Sequence, residues 1–193
     1  RFLFPLSEYK KFQIREIARQ NGIHTHNKPD SQDICFIPDH DYEGFLKENS
    51  KKKVEAGNFV DRSGKVLGRH KGIISYTIGQ RKGLGITFGK PTYVVAINGQ
   101  DKSIVLGDNG DLFKTSLTAR DVNFVEWSQD EVVGPIDVYA KVRYAAKPAQ
   151  AKVTYIGKYR VRVDFVEPQR AITSGQSVVF YSEDRLLGGG IIE

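Results

Sequence analysis

The stretch Lys152-Val153-Thr154-Tyr155-Ile156-Gly157-Lys158-Tyr159-Arg160-Val161-Arg162-Val163-Asp164-Phe165 decides the fold. Two runs rich in β-branched and aromatic residues, Lys152–Ile156 and Tyr159–Phe165, flank Gly157-Lys158, a pair suited to a type II′ turn. In the second run Tyr159, Val161, Val163 and Phe165 share one face, opposite Arg160, Arg162 and Asp164. That is the alternation of a strand with one buried and one wet side. The same period recurs outward from the hairpin. Val138–Val142 alternates small or apolar side chains with Tyr139, Lys141 and Arg143, and Ser177–Tyr181 and Arg185–Ile192 are further short strands. Upstream, Pro91–Ile97 and Ser103–Leu106 are β-rich runs around Asn98-Gly99, a hairpin signal in a loop longer than two residues. Short strands at this spacing predict a sandwich or barrel.

The N-terminal quarter reads differently. Ser7 is placed to cap a helix from about Glu8 to Gln20 that stops near Gly22, with Tyr9, Phe12, Ile14 and Ile17 giving a partial apolar stripe. A second short helix is expected over Asp41–Asn49, burying Tyr42, Phe45 and Leu46, and Lys51–Gly57 reads as a linker. From Asn58 onward the pattern is strand-like, without internal repeat or low-complexity segment. The expectation is a mainly β chain with a short α-helical N-terminal segment and two small β domains.

A net charge of +6 suits a polyanionic partner such as nucleic acid. Basic residues cluster at Lys51–Lys53, Arg69–Lys71, Arg81-Lys82 and Lys141–Arg143, the first being a solvated linker. No apolar run approaches the roughly 20 residues that span a bilayer. The one cysteine, Cys35, can form neither an internal disulfide nor a Cys-x-x-Cys clamp, and it suits a reducing, cytoplasmic setting. Its roles reduce to a buried filler, a reactive nucleophile, or half of a pair with its partner elsewhere. Lys28 or His26 would favour the thiolate and Asp33 would oppose it. Ile34, Phe36 and Ile37 suggest a short, half-buried strand or turn around it.

Other constellations carry less. His24 and His26, spaced like strand neighbours, imitate metal ligands with Cys35, but no fourth ligand accompanies them and no metal is expected. Gly89-Lys90 is not a phosphate loop, because Leu84 and Pro91 stand where glycine and Ser or Thr are required. Tyr76–Gly85 is either a substrate loop, with Gln80, Arg81 and Lys82 as its polar groups, or a glycine-rich structural turn. Lys141-Val142-Arg143-Tyr144 joins charge to an aromatic, a pair that can meet phosphate and base. Strict alternation separates Arg143 from Tyr144, so both serve RNA only if the strand ends or bulges there.

Three ordered motifs resemble one family. Lys28-Pro29-Asp30-Ser31-Gln32-Asp33-Ile34-Cys35-Phe36-Ile37 is similar to the second-cysteine motif of the tRNA-specific 2-thiouridylases (the MnmA/TrmU family). Gly68-Arg69-His70-Lys71-Gly72 followed by Tyr76–Ile86 is a second match, and Gly175–Tyr181 with Leu187–Ile192 a third. The resemblance implies the tail of a catalytic ATP-binding α/β domain over residues 1–50, a central mostly-β domain over 51–113, and over 114–193 a C-terminal β-barrel similar to one in translation elongation factors. It implies formation of 2-thiouridine at the wobble position, with Cys35 carrying a persulfide. It also implies tRNA contacts from Arg143, Tyr144 and Gln176, although the family's Pro-Gly-Gln triplet reads Ser174-Gly175-Gln176 here, in a turn expected to be less rigid. Its partners would be tRNA and a sulfur donor, either a cysteine desulfurase or a relay protein, with no membrane. ATP and Mg would act in an N-terminal domain carrying a first cysteine. Because the chain opens on Arg1 and lacks methionine, that domain is expected upstream, and this chain alone is expected to bind no cofactor and to be inactive. The alternative is a non-catalytic RNA-binding β module with a structural cysteine.

Overall fold

The computed structural model describes residues 3–28, 34, 36–37, 41–49, 54–87, 89–125 and 134–193. It divides into two compact units, residues 1–49 and 50–193.

In the first unit the leading helix α1 covers Lys11–Gln20 and starts later than expected. Turns closed by Ser7 N–H to the Phe4 carbonyl and Tyr9 N–H to the Leu6 carbonyl occupy the preceding residues. Ser7 therefore caps nothing, and the Lys10 N–H donates to Gln13 Oε1 at 2.8 Å. The helix ends where the sequence places its stop: Ile23 N–H reaches the Ala18 carbonyl and Gly22 N–H the Arg19 carbonyl, a Schellman closure. Helix α2 covers Tyr42–Asn49, with Asp41 Oδ1 accepting from Gly44 N–H at 2.8 Å. Contrary to expectation it buries none of its residues; Phe45 is half-buried against Phe36, with ring centroids 5.3 Å apart.

The second unit opens with a four-stranded sheet in the order β2-β1-β4-β3, made of β1 Gly57–Val60, β2 Val66–His70, β3 Tyr93–Asn98 and β4 Ser103–Gly107. β1 and β4 run parallel and the other neighbours antiparallel. Its core is Phe59, Tyr76, Leu84, Val94, Ile104 and Leu106. The β3–β4 loop holds four residues, since Asn98 pairs with Ser103, and Asp101 Oδ1 accepts both the hydroxyl and the N–H of Ser103. Those bonds, the hydroxyl's first, hold the Asp101 carboxyl below its ordinary value.

Six strands then close into a barrel in the order β10-β5-β8-β7-β6-β9. They are β5 Phe113–Phe124, β6 Ile136–Lys141, β7 Ala149–Gly157, β8 Arg160–Arg170, β9 Ser177–Ser182 and β10 Arg185–Ile192. Val161, Val163 and Phe165 point into its core with Val138, Val153, Val178 and Phe180, as the alternation predicts. Tyr159 does not join them and lies exposed in the turn. That turn is type I′ rather than II′: Gly157 pairs with Arg160, leaving Lys158 (φ 53°) and Tyr159 (φ 57°) as central residues. Closure depends on Gly188-Gly189-Gly190. A Cβ on Gly188 would lie 2.5 Å from the Asn123 carbonyl oxygen, and one on Gly189 2.7 Å from that of Val178. The bare backbone thus fits between β5 and β9.

The sheet and the barrel meet around Arg170-Ala171. Ala171 N–H donates to the buried Leu112 carbonyl at 2.8 Å. Arg170 Nε donates to Asn109 Oδ1 at 3.3 Å and its guanidinium lies 5.7 Å from the Tyr93 ring centre.

Candidate nucleic-acid interface

Strand β6 stops at Lys141. Val142 is the last residue of its inward series, and a turn closed by Ala146 N–H to the Arg143 carbonyl follows. Ending the ladder there frees Arg143 and Tyr144 from strict alternation, so both face the same depression. Tyr144 is 96% exposed, an unusual state for a large aromatic ring, and Lys141 Nζ stands 5.4 Å from its centre. Across the barrel end, the turn before β9 presents Gln176. Gly175 N–H donates to the Ile192 carbonyl at 2.9 Å and Ile192 N–H donates to the Gln176 carbonyl at 2.8 Å. The Ser174-Gly175-Gln176 turn is therefore bound to β10 on both sides without a proline.

Lys141, Arg143, Tyr144, Gln176, Ser177 and Tyr181 line one open cavity of about 530 Å³. It holds two cations, two aromatic rings, an amide and a hydroxyl, and among the described residues no carboxylate lines it. Arg143 is half-buried, and neither its guanidinium nor the Gln176 amide has a partner among the described residues. Such a set can take a phosphate on the cations, stack a base on tyrosine and hydrogen-bond a base edge.

The Tyr76–Gly85 segment is built otherwise. Thr77 N–H donates to Gln80 Oε1 at 3.0 Å and Gln80 Nε2 donates to the Lys82 carbonyl at 3.0 Å, so the amide is consumed within its own loop. The main chain also ties the loop to β3, Val94 N–H donating to the Gln80 carbonyl and Gly79 N–H to the Val94 carbonyl, while a Cβ on Gly79 would lie 3.2 Å from Ala171 Cβ. Arg81 and Lys82 are exposed, and none of Gln80, Arg81 and Lys82 lines the barrel cavity.

His70 is a residue the motif contained without a role. It is buried, 5.2 Å from the Phe59 ring and 5.6 Å from that of Tyr76. Gly72 N–H donates to its Nδ1 at 3.1 Å, which leaves Nε2–H as the donor to the Lys102 carbonyl at 2.9 Å. It ties the end of β2 to the β3–β4 loop. The signal was its position at the end of a strand run, inseparable in one sequence from an exposed motif histidine.

Cys35 lies outside the described residues; beside it Phe36 is exposed and Ile37 buried. His24 and His26 sit on a single 3₁₀ turn, His24–Asn27, rather than on a strand. Among the described residues no group of three or more His, Cys, Asp or Glu could hold a metal ion, and no helix is long and apolar enough to cross a membrane.

Three family models tile the chain: the tRNA methyl transferase HUP domain over residues 1–39, the tRNA methyl transferase PRC-barrel domain over 43–108 and the aminomethyltransferase beta-barrel domain over 114–192. Fold and models together define the class, a modular chain joining a PRC-barrel domain to an aminomethyltransferase-type barrel. A tRNA-specific 2-thiouridylase MnmA of Clostridioides difficile (strain 630) is 56% identical over 191 residues, 99% of this chain and 52% of the relative. A tRNA-specific 2-thiouridylase of Clostridium botulinum (strain Hall) is 55% identical over 193 residues, 100% of this chain and 54% of the relative. The chain belongs to the tRNA-specific 2-thiouridylase family and spans about half the length of these curated relatives.

Proposed function

We propose that this chain supplies the tRNA-engaging barrel and a sulfur-carrying cysteine of an enzyme that replaces the 2-oxygen of the wobble uridine in tRNA by sulfur. The observation that carries the RNA-binding half is the convergence of Arg143, Tyr144 and Gln176, from two distant stretches of sequence, on one open cavity without a carboxylate. Lys141 and Arg143 would hold backbone phosphate, Tyr144 would stack on a base and Gln176 would contact a base edge or ribose.

The chemical half rests on the motif around Cys35 and on the relatives' names. A sulfur donor, a desulfurase or a relay protein, leaves Cys35 as a persulfide. Its outer sulfur is nucleophilic and attacks C2 of a uridine whose 2-oxygen has been activated as an adenylate. The C–O bond breaks with departure of AMP, a C–S bond forms, and a second thiol attacks the Cys35 sulfur. The S–S bond to the nucleoside breaks, 2-thiouridine leaves and the two cysteines become a disulfide. Alternatively that second thiol first releases the outer sulfur as sulfide, which then attacks C2. In the family's chemistry ATP, with Mg, forms the adenylate. In the glycine-rich loop the Gln80 amide is bonded within the loop, so that side chain is not offered to the nucleotide. Adenylation is therefore not assigned to this chain.

The deciding experiment is Cys35→Ser in the complete protein, measured for 2-thiouridine formation and tRNA affinity. The expected outcome is loss of product with affinity retained, because sulfur is exchanged for oxygen with little change of volume. Mass spectrometry after incubation with a cysteine desulfurase and cysteine should add one sulfur atom to the wild-type peptide containing Cys35. Normal product from Cys35→Ser would instead establish a structural cysteine in an RNA-binding module.

A further inference from the structure

Arg143 forms part of two cavities. Beyond the one it shares with Tyr144 and Gln176 lies a second, of about 630 Å³, whose polar lining comprises Arg143, Lys147, Gln150, Glu167, Gln169 and Arg170. Three cations face one carboxylate there, so the wall is net positive, and small side chains such as Ala146 and Ala149 leave it open. Its two ends differ in stiffness. Lys147 is exposed with no ion pair among the described residues, whereas Arg170 is held by Asn109 and the Tyr93 ring. The amides of Gln150 and Gln169 are oriented as well, donating to the Tyr139 hydroxyl at 3.3 Å and to the Glu167 carbonyl at 2.9 Å. Arg170 also adjoins Gly79 of the Tyr76–Gly85 segment, whose backbone packs on Ala171.

We propose that this second cavity is a phosphodiester-binding subsite that continues the RNA path from the Tyr144 cavity, around Arg143, toward the junction of barrel and sheet. The inference rests on the reading of the barrel as an RNA-binding surface and extends it to residues outside the family motifs. Chemistry separates the two subsites. The first offers Tyr144 and Tyr181 as stacking faces, while the second offers Lys147 and Arg170 as charges for a polyanionic backbone. Arg143, standing in both and half-buried without an anion, would bridge consecutive parts of one strand.

The test uses the complete protein and an unmodified tRNA transcript, with affinity measured between about 50 and 200 mM salt. Lys147→Ala should lower the log–log salt slope by roughly 0.7 to 0.9 and weaken binding about five- to eightfold at 0.1 M salt, the factor such a slope gives relative to 1 M. Lys147→Arg should restore both, and Arg143→Ala serves as the reference. Because Lys147 is exposed and makes no internal bond among the described residues, an unchanged melting temperature accompanies a valid comparison. If Arg143→Ala weakens binding while Lys147→Ala leaves affinity and slope unaltered, the second subsite is wrong and the barrel reading survives. If neither variant changes binding, the barrel reading fails and this inference with it.

Discussion

Two glutamines, Gln80 and Gln176, sit in glycine-bearing turns of family motifs, with basic residues near each, and the structure uses them in opposite ways. Gln80 closes its loop from within, accepting from Thr77 and donating to the Lys82 carbonyl. Gln176 holds its turn through main-chain bonds alone, its N–H donating to the Thr173 carbonyl and its carbonyl accepting from Ile192 N–H, and its side-chain amide stays open to the cavity. A polar side chain becomes available to a ligand when the backbone satisfies the local geometry without it. Where the side chain supplies the geometry, the same residue type is part of the scaffold.

The largest effect that could break this contrast belongs to His70, a scaffold residue by the same criterion. His70→Ala should lower unfolding free energy by about 3 kcal/mol in denaturant titration, because a buried N–H and a carbonyl lose their partner and two rings lose a neighbour. The tRNA affinity of the folded fraction should remain. Loss of affinity with unchanged stability would move His70 to the ligand side.

The two glutamines themselves sharpen it. Gln80→Ala should cost about 1 to 2 kcal/mol of stability, for two hydrogen bonds, and leave tRNA affinity unchanged. Gln176→Ala should do the reverse, weakening tRNA binding by about 1 kcal/mol with no stability change and no change in salt slope, since no charge is removed. The contrast collapses if both variants behave alike in the two assays.

The smallest effect concerns a turn with no ligand role. Lys158 and Tyr159 occupy left-handed backbone that Asn and Gly adopt more readily. Replacing the pair by Asn-Gly should raise stability by about 1 kcal/mol in thermal or chemical unfolding. A loss of stability would mean that the side chains of Lys158 and Tyr159 contribute more to the turn than its left-handed backbone costs.

What was legible in sequence was the alternation. Val161, Val163 and Phe165 went inward as read, and the same period found the inner face of β6. A period of two reports which side of a strand is buried, and it survives errors of boundary. It is silent on turn register, so the turn fell one residue later than Gly157-Lys158 suggested and took type I′, and on caps, where Ser7 lost to a local pair of turns. The α2 positions Tyr42 and Leu46 look like core in a helical projection but lie exposed, because a stripe specifies a face and not what covers it. In the site, the meeting of Arg143 with Gln176 depends on barrel closure, which no local pattern encodes, and the family resemblance supplied that pairing.

Closure of the barrel also imposes an order in time. β5 is complete by Phe124, yet its partner β10 pairs Ile192 with Ala119, so the seam joins segments made far apart during synthesis. A nascent chain emerging from the ribosome carries one open flank of β5 through the production of four intervening strands, the condition in which edge strands find wrong partners. The triple glycine that lets β10 fit is therefore also the last piece inserted, and a side chain there would be felt in the yield of folded protein before it was felt in binding.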